Sequence, residues 1–174
     1  MEWLGDFGSW VWARHHNLLS WYVRPLFILP YCWFAYRRNR IGLALTIALF
    51  PTSLFWFPAP LEPSPQALSY LAWERRFFLE SPARAAALAA AVAVFLWALA
   101  AAFWRRSWLW GLGVLNMATL LKVGWSLYFG GEAGRGAVLP ALVTLLVCDA
   151  AILAAVFYGR RRRRALGRAG EEPH

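Results

Sequence analysis

Arginine pairs and runs separate successive apolar stretches of this chain, and that alternation leaves few architectures open to it. The apolar stretches are Leu18–Tyr36, Ile41–Phe57, Ala83–Trp104, Trp108–Phe129 and Ala137–Tyr158. A hydrocarbon layer about 30 Å thick takes about 20 apolar helical residues, so each stretch reads as one crossing of a bilayer. The first is interrupted by Arg24, Pro25 and Pro30, and the second is short and carries Pro51. For these two, a re-entrant pair of half-helices would leave a similar pattern. Composition agrees with the class: 60% of residues are hydrophobic and only 16% charged, against about 45–50% apolar in soluble domains. A soluble chain of this length has too little interior for so much apolar surface. The wealth of aromatics excludes disorder. Cys32 and Cys148 both sit within apolar stretches, which excludes a disulfide scaffold and a cysteine-based zinc motif. The expected fold is all-α, a polytopic membrane bundle of five helices with one short outer interfacial helix. Residues 1–158 would form a single membrane-embedded domain, and residues 159–174 a basic cytoplasmic tail.

Charge placement sets the expected orientation, because cytoplasmic flanks collect Lys and Arg. Arg37, Arg38 and Arg40 join the first two stretches, Arg105 and Arg106 join the third and fourth, and Arg160 to Arg164 with Arg168 follow the fifth. These eleven basic residues are offset on their own side only by Glu171 and Glu172. The other side mixes Arg14, Arg75, Arg76, Arg84 and Arg135 with Glu2, Asp6, Glu62, Glu74, Glu80 and Glu132. Basic flanks thus fall at every second connection. The expectation is a multi-pass protein of the inner (plasma) membrane, N-terminus outside and C-terminus cytoplasmic, with a nearly neutral tail before Asn17. The net charge of +9 belongs to the cytoplasmic face and to anionic lipid headgroups, so nucleic acid is not an expected partner.

Pro58-Ala-Pro-Leu-Glu-Pro-Ser-Pro65 is too proline-rich for a helix. Ser64-Pro65 then gives an N-cap and a first helical residue, and Ser81-Pro82 repeats the signal ahead of the third stretch. Residues 65–80 are expected to form the outer helix, with Ala67, Tyr70, Leu71, Phe77 and Phe78 on one face and Glu74 among them. Alanines of the third stretch favour close helix packing, consistent with a homo-oligomer or a partner membrane subunit.

Ionisable groups within a bilayer are functional candidates by default. Arg24, Lys122 and Asp149 are the three here, and Lys122 is the single lysine beside seventeen arginines. At the helical rise per residue, Lys122 and Arg24 fall roughly 10 Å below the outer boundary. Asp149 lies roughly 18 Å deep, level with Asn116. Asn116, Thr119, Lys122 and Ser126 form one polar stripe, and Asn17, Ser20 and Arg24 another. Three readings follow: a structural pair, Lys122 reaching Asp149 with Asn116 completing the hydrogen bonds; a polar interior that binds solute or relays protons; or charges that snorkel without a partner. At the outer edge, His15 and His16 point about 100° apart on a helix and so do not hold one metal between them; either is placed to pair with Glu74. Pro51 frees a carbonyl near Ile47, which Thr46 and Ser53 are placed to satisfy.

No catalytic or phosphate-binding signature is present, and no cofactor or metal is implied. The functional expectation is a small inner-membrane protein that binds, and transports, a small or amphiphilic anionic solute through a site opening outward. Arg24 and Lys122 would attract it, Asp149 and Asn116 would gate it or relay a proton, and Glu74, His15 and His16 would form the rim. The alternatives are an accessory subunit of a larger membrane complex and an outward-facing enzyme acting on a lipid through His15, His16 and Glu74.

Overall fold

The computed structural model describes residues 2–169, with side chains described for residues 6–162. Glu171 and Glu172 lie outside the described residues. All regular structure among the described residues is helical, with no strand. The helices are α1 Glu2–His15, α2 Leu18–Val23, α3 Ile28–Tyr36, α4 Arg40–Leu49, α5 Pro65–Leu79, α6 Pro82–Trp104, α7 Trp108–Gly134 and α8 Val138–Ala169, with 3-10 stretches at Arg24–Phe27, Phe50–Leu54 and Arg135–Ala137.

Two helical stretches are long and apolar enough to cross a membrane: Pro82–Trp104, of 23 residues, and Trp108–Arg162, of 55 residues. Only 17% and 33% of their most apolar windows are buried, whereas the core helix of a soluble protein would be mostly buried. The second stretch is folded back on itself. Gly131 sits at φ 51°, ψ −125°, a conformation that only glycine tolerates well. Asn116 Nδ2 meets both Asp149 carboxylate oxygens, at 3.2 and 3.0 Å, although a straight helix would hold residues 33 apart about 50 Å from one another. α7 and α8 are therefore the two arms of a hairpin.

The first apolar stretch is helical from Leu18 to Tyr36 but broken in its middle. Pro25 has no N–H for the carbonyl one turn back, and the chain tightens to a 3-10 turn over Arg24–Phe27. Thr144 of α8 donates to the Tyr22 carbonyl at 3.3 Å, supplying a partner beside the break. Pro30 lies in the first turn of α3, where a missing N–H leaves no orphan. The second stretch is shorter than expected. Its apolar helix ends at Leu54, because Pro51 opens the 3-10 stretch that terminates it. The hydroxyls do not serve the Ile47 carbonyl: Thr46 donates to Gly42 O at 2.8 Å, Thr52 to Leu49 O and Ser53 to Phe50 O, both at 2.6 Å.

Both arginine turns are built alike. Arg38 and Arg106 take left-handed backbones, with φ 56° and 59°, and the next residue's N–H bonds five residues back, Asn39 to Phe34 O and Ser107 to Ala102 O. This is the turn that ends helices, usually with glycine in the left-handed position. Here arginine takes that position, at a local cost of about 1–2 kcal/mol. Arg38 Nε donates to the Trp104 carbonyl at 3.1 Å, and Arg160 stacks on Trp108, so both turns and the basic part of α8 share one end of the bundle. α8 continues unbroken past Tyr158 to Ala169, so the expected basic tail starts as helix; Gly159 alone does not stop it and arginine is a good helix former.

The core joins Tyr31, Cys32 and Ala35 of α3, Leu99 and Phe103 of α6, Leu115 of α7, and Leu145, Cys148 and Ile152 of α8. Tyr31 buries its hydroxyl by donating to Leu96 O at 3.0 Å. At the opposite end, α5 forms as its sequence foretells, capped by Ser64 Oγ, which accepts from Ala67 N at 3.1 Å. Ala67, Tyr70 and Leu71 are buried there, while Phe77 and Phe78 are half-buried. Ser81 takes the N-cap position of α6 without the side-chain hydrogen bond. The residues before Asn17 are not an extended tail but helix α1, whose Phe7 and Trp10 pack on Phe55.

Candidate functional site

Four elements meet beneath α5. Trp73 anchors this helix on the end of α7, donating Nε1–H to Phe129 O at 3.1 Å and packing on Trp125 at 5.2 Å between ring centroids. One face of α5 then presents Tyr70 and Glu74 inward. Tyr70 packs edge-on against Trp21 of α2 at 5.2 Å, and Trp21 Nε1 donates to the His15 carbonyl at 3.0 Å. Asn17 caps α2 by accepting from Leu19 N and ties it to the proline-rich segment through Pro58 O, both at 3.0 Å. These contacts place His15 of α1 beside Arg24, which the Pro25 break turns inward. Arg24 Nη1 donates to His15 Nδ1.

Arg24 is 7% exposed, and no carboxylate among the described residues pairs with it. Its Nε and Nη2 have no hydrogen-bond partner among the described residues, nor has Ser126 Oγ on α7. The Tyr70 hydroxyl, beside Ser126, donates to Glu74 Oε1 through a long bond of 3.4 Å. Buried polar groups are nearly always bonded, and these atoms stand out because no described residue bonds them.

Electrostatics follow from burial. His15 is pushed down to about 4 by burial first, then by Arg24, His16 and Lys122. It is neutral at pH 7 and accepts at Nδ1. Burial raises Glu74 above the usual carboxylate range, opposed by the Lys122 charge and the Tyr70 hydrogen bond. Burial and the Glu74 charge likewise raise Tyr70. Lys122 thus acts on both His15 and Glu74, at the end of the structure that α5 covers.

The sequence-based candidates separate into two groups. Arg24, His15, Glu74 and Lys122 gather at the α5 end, joined by Tyr70 and Ser126. Asn116 and Asp149 form a separate pair between α7 and α8. Asn116 Nδ2 donates also to Leu112 O at 2.9 Å, and Lys122, exposed on α7, makes no hydrogen bond or ion pair with Asp149. The expected Lys122–Asp149 pair is replaced by an Asn116–Asp149 pair, Asn116 being level with the carboxylate and Lys122 left exposed. Neither histidine pairs with Glu74. His16 Nδ1 lies 2.9 Å from the Trp12 carbonyl and lines a surface groove of about 380 Å³ with Trp12, Arg75 and Arg76. His15, His16 and Glu74, the residues of the enzyme reading, make no hydrogen bond to one another. No group of three or more His, Cys, Asp or Glu side chains able to hold a metal occurs among the described residues. Tyr70 was visible in the sequence only as an apolar-face residue; its hydroxyl became part of the site when α5 settled over Ser126.

A pH dependence follows. His15 titrates near 6.5 when unfolded and near 4 when folded, so between those values the unfolded chain holds the proton and the folded chain does not. Stability therefore falls as pH drops from 6.5 towards 4, by up to about 3 kcal/mol. The raised Glu74 acts in the opposite sense. Thermal unfolding of wild type and His15→Gln across pH 4–7.5 isolates the His15 contribution; parallel curves for the two would show that His15 is not buried as a neutral group.

No family model matches this sequence, no curated protein is significantly similar to it, and no solved structure matches it.

Proposed function

We propose that this chain is a small multi-pass inner-membrane protein that binds an anionic solute at a site opening to the outer face. The observation that carries the reading is Arg24: a buried arginine with no carboxylate and with two unpartnered nitrogens among the described residues. Such a cation is expensive to bury and gains most from an incoming anion. Lys122 adds attraction, Tyr70 and Ser126 add hydroxyls, and neutral His15 holds the guanidinium in place. Membrane insertion is supported by Pro82–Trp104 and the Trp108–Arg162 hairpin, both apolar and largely unburied. Five crossings follow if the broken Leu18–Tyr36 stretch and the short Arg40–Leu54 helix also span, the latter with local bilayer thinning. The arginine turns gathered at one end favour that end as cytoplasmic, which leaves α5 and the Arg24 cluster outside. Transport, as distinct from binding, would use the Asn116–Asp149 pair deeper in the hairpin.

Lys122→Ala and Asp149→Ala, singly and together, test this in detergent or nanodiscs. Lys122→Ala is expected to leave the ligand-free thermal midpoint nearly unchanged and to weaken stabilisation by phosphate about tenfold. Asp149→Ala is expected to lower stability by about 1–2 kcal/mol, and the two stability effects should add. Recovery of stability in the double variant would restore the structural pair and remove the case for a site.

The exposed face of α6 favours a second reading as well. Residues 83–94 are all exposed and mostly alanine, a surface suited to close packing against a second copy or a subunit of a larger membrane complex. The two readings are compatible, since this face lies outside the Arg24 cluster.

A further inference from the structure

We infer that the anion taken by this site is an oxyanion, held side-on by the Nε–H and Nη2–H edge of Arg24. This rests on the anion-site reading above and adds the ligand's chemical class.

A guanidinium offers five N–H groups in a rigid plane. Nη1 is taken up by His15 Nδ1. The two nitrogens without any partner, Nε and Nη2, are the pair on the edge of the plane turned away from the side chain's own Cδ. Their N–H bonds run nearly parallel. Two parallel donors match two oxygens carried on one carbon, phosphorus or sulfur atom. A carboxylate, phosphate or sulfate satisfies both at once, whereas a halide is a single point.

The edge is also set before any ligand arrives. Pro25 fixes the backbone beside Arg24, His15 clamps the far nitrogen, and the indole of Trp21 holds the His15 carbonyl. An arginine so constrained loses little freedom on binding, and the gain goes to affinity. Through Trp21 the cluster adjoins an aromatic core, with Trp12, Trp21 and Trp73 packed around Tyr70, Leu71 and Ala137. Glu74, the nearest carboxylate on α5, is engaged by Tyr70 and faces Lys122, so it does not occupy the edge. The oxyanion has two possible sources, a free solute or a phospholipid headgroup. The chemistry at Arg24 is the same for both.

The test uses the full chain in phosphatidylcholine nanodiscs, with 15N-labelled arginine. The Arg24 Nε–H resonance, assigned through Arg24→Lys, is followed while chloride, acetate or phosphate is added at matched ionic strength; parallel discs contain phosphatidic acid. Acetate and phosphate are expected to shift this resonance saturably and slow its exchange with water, with chloride inert. Arg24→Lys keeps the charge and loses the edge, so the affinity for phosphate, read from the thermal midpoint, should fall on the order of tenfold towards that for chloride. A response to phosphatidic acid discs alone assigns the oxyanion to a lipid headgroup; a response to the soluble salts assigns it to a free solute. Either supports the inference. Equal responses to chloride and phosphate would overturn it while leaving an anion site in place. Full phosphate affinity in Arg24→Lys would overturn it as well. No response to any anion would remove the anion site itself. Where Arg24→Lys fails to fold, the comparison of ions on the wild-type resonance decides.

Discussion

Arg24→Met is expected to make the folded protein more stable and to abolish anion binding. The direction follows from the unpartnered edge. Arg24 is 7% exposed and two of its guanidinium nitrogens bond to nothing among the described residues. Each unsatisfied buried donor costs about 1–3 kcal/mol, and desolvation of the charge adds to this. Methionine fills a similar volume with no polar atom, and exchanges of this kind are often neutral or stabilising by about 1–4 kcal/mol. Against the gain stands the His15 Nδ1 acceptor, left without its donor, at about 1 kcal/mol. The net expectation is a gain of about 1–2 kcal/mol, read as a higher thermal midpoint in detergent. Phosphate should no longer raise that midpoint in the variant. A drop of more than about 1 kcal/mol would mean that Arg24 serves the fold rather than a ligand.

The largest loss of stability is expected from Gly134→Ala. Gly134 closes the α7–α8 hairpin against α7 itself, and a Cβ there would overlap the Ser126 carbonyl oxygen. A backbone atom has no other rotamer to move to, so the turn must open. Overpacking of flexible side chains costs about 1–3 kcal/mol, and a clash with backbone should exceed the upper value. The same movement displaces Ser126 from Tyr70, so anion binding should weaken with stability. Gly113→Ala and Gly124→Ala are the controls. A Cβ at either meets nothing within 4 Å, and alanine is the better helix former by about 1 kcal/mol. Gly134→Ala behaving like these controls would mean that the hairpin closes some other way.

Particular elements show how far the primary structure carries. The ends of the Leu18–Tyr36 stretch, the Ser64 cap, the apolar face of α5 and both arginine turns are legible because each depends on neighbours a few residues away. The Pro25 and Pro51 breaks are legible for the same reason, though not the early end of the second helix. Helix α1 was missed, since its aromatics pack on Phe55 and its first turns carry no cap signal. Gly130, Gly131, Gly134 and Gly136 are by composition a turn signal, but only the folded chain shows the φ of Gly131 and the tight seat of Gly134.

The candidate charges were legible too, through their rarity in apolar surroundings. Which of them meet was not. Depth along a helix placed Lys122 within reach of Asp149, yet contact depends also on rotation about the axis and on how neighbouring helices are set. Packing gave Asp149 to Asn116, Arg24 to His15, and Tyr70 to Glu74. The amino-acid sequence by itself determined the helical class, the alternation of apolar and basic segments and the short list of ionisable residues, because these follow from local periodicity and from hydrocarbon's intolerance of charge. Only tertiary structure decided that Arg24 would be buried with Nε and Nη2 unpartnered among the described residues, because that depends on how side chains from separated elements pack around it.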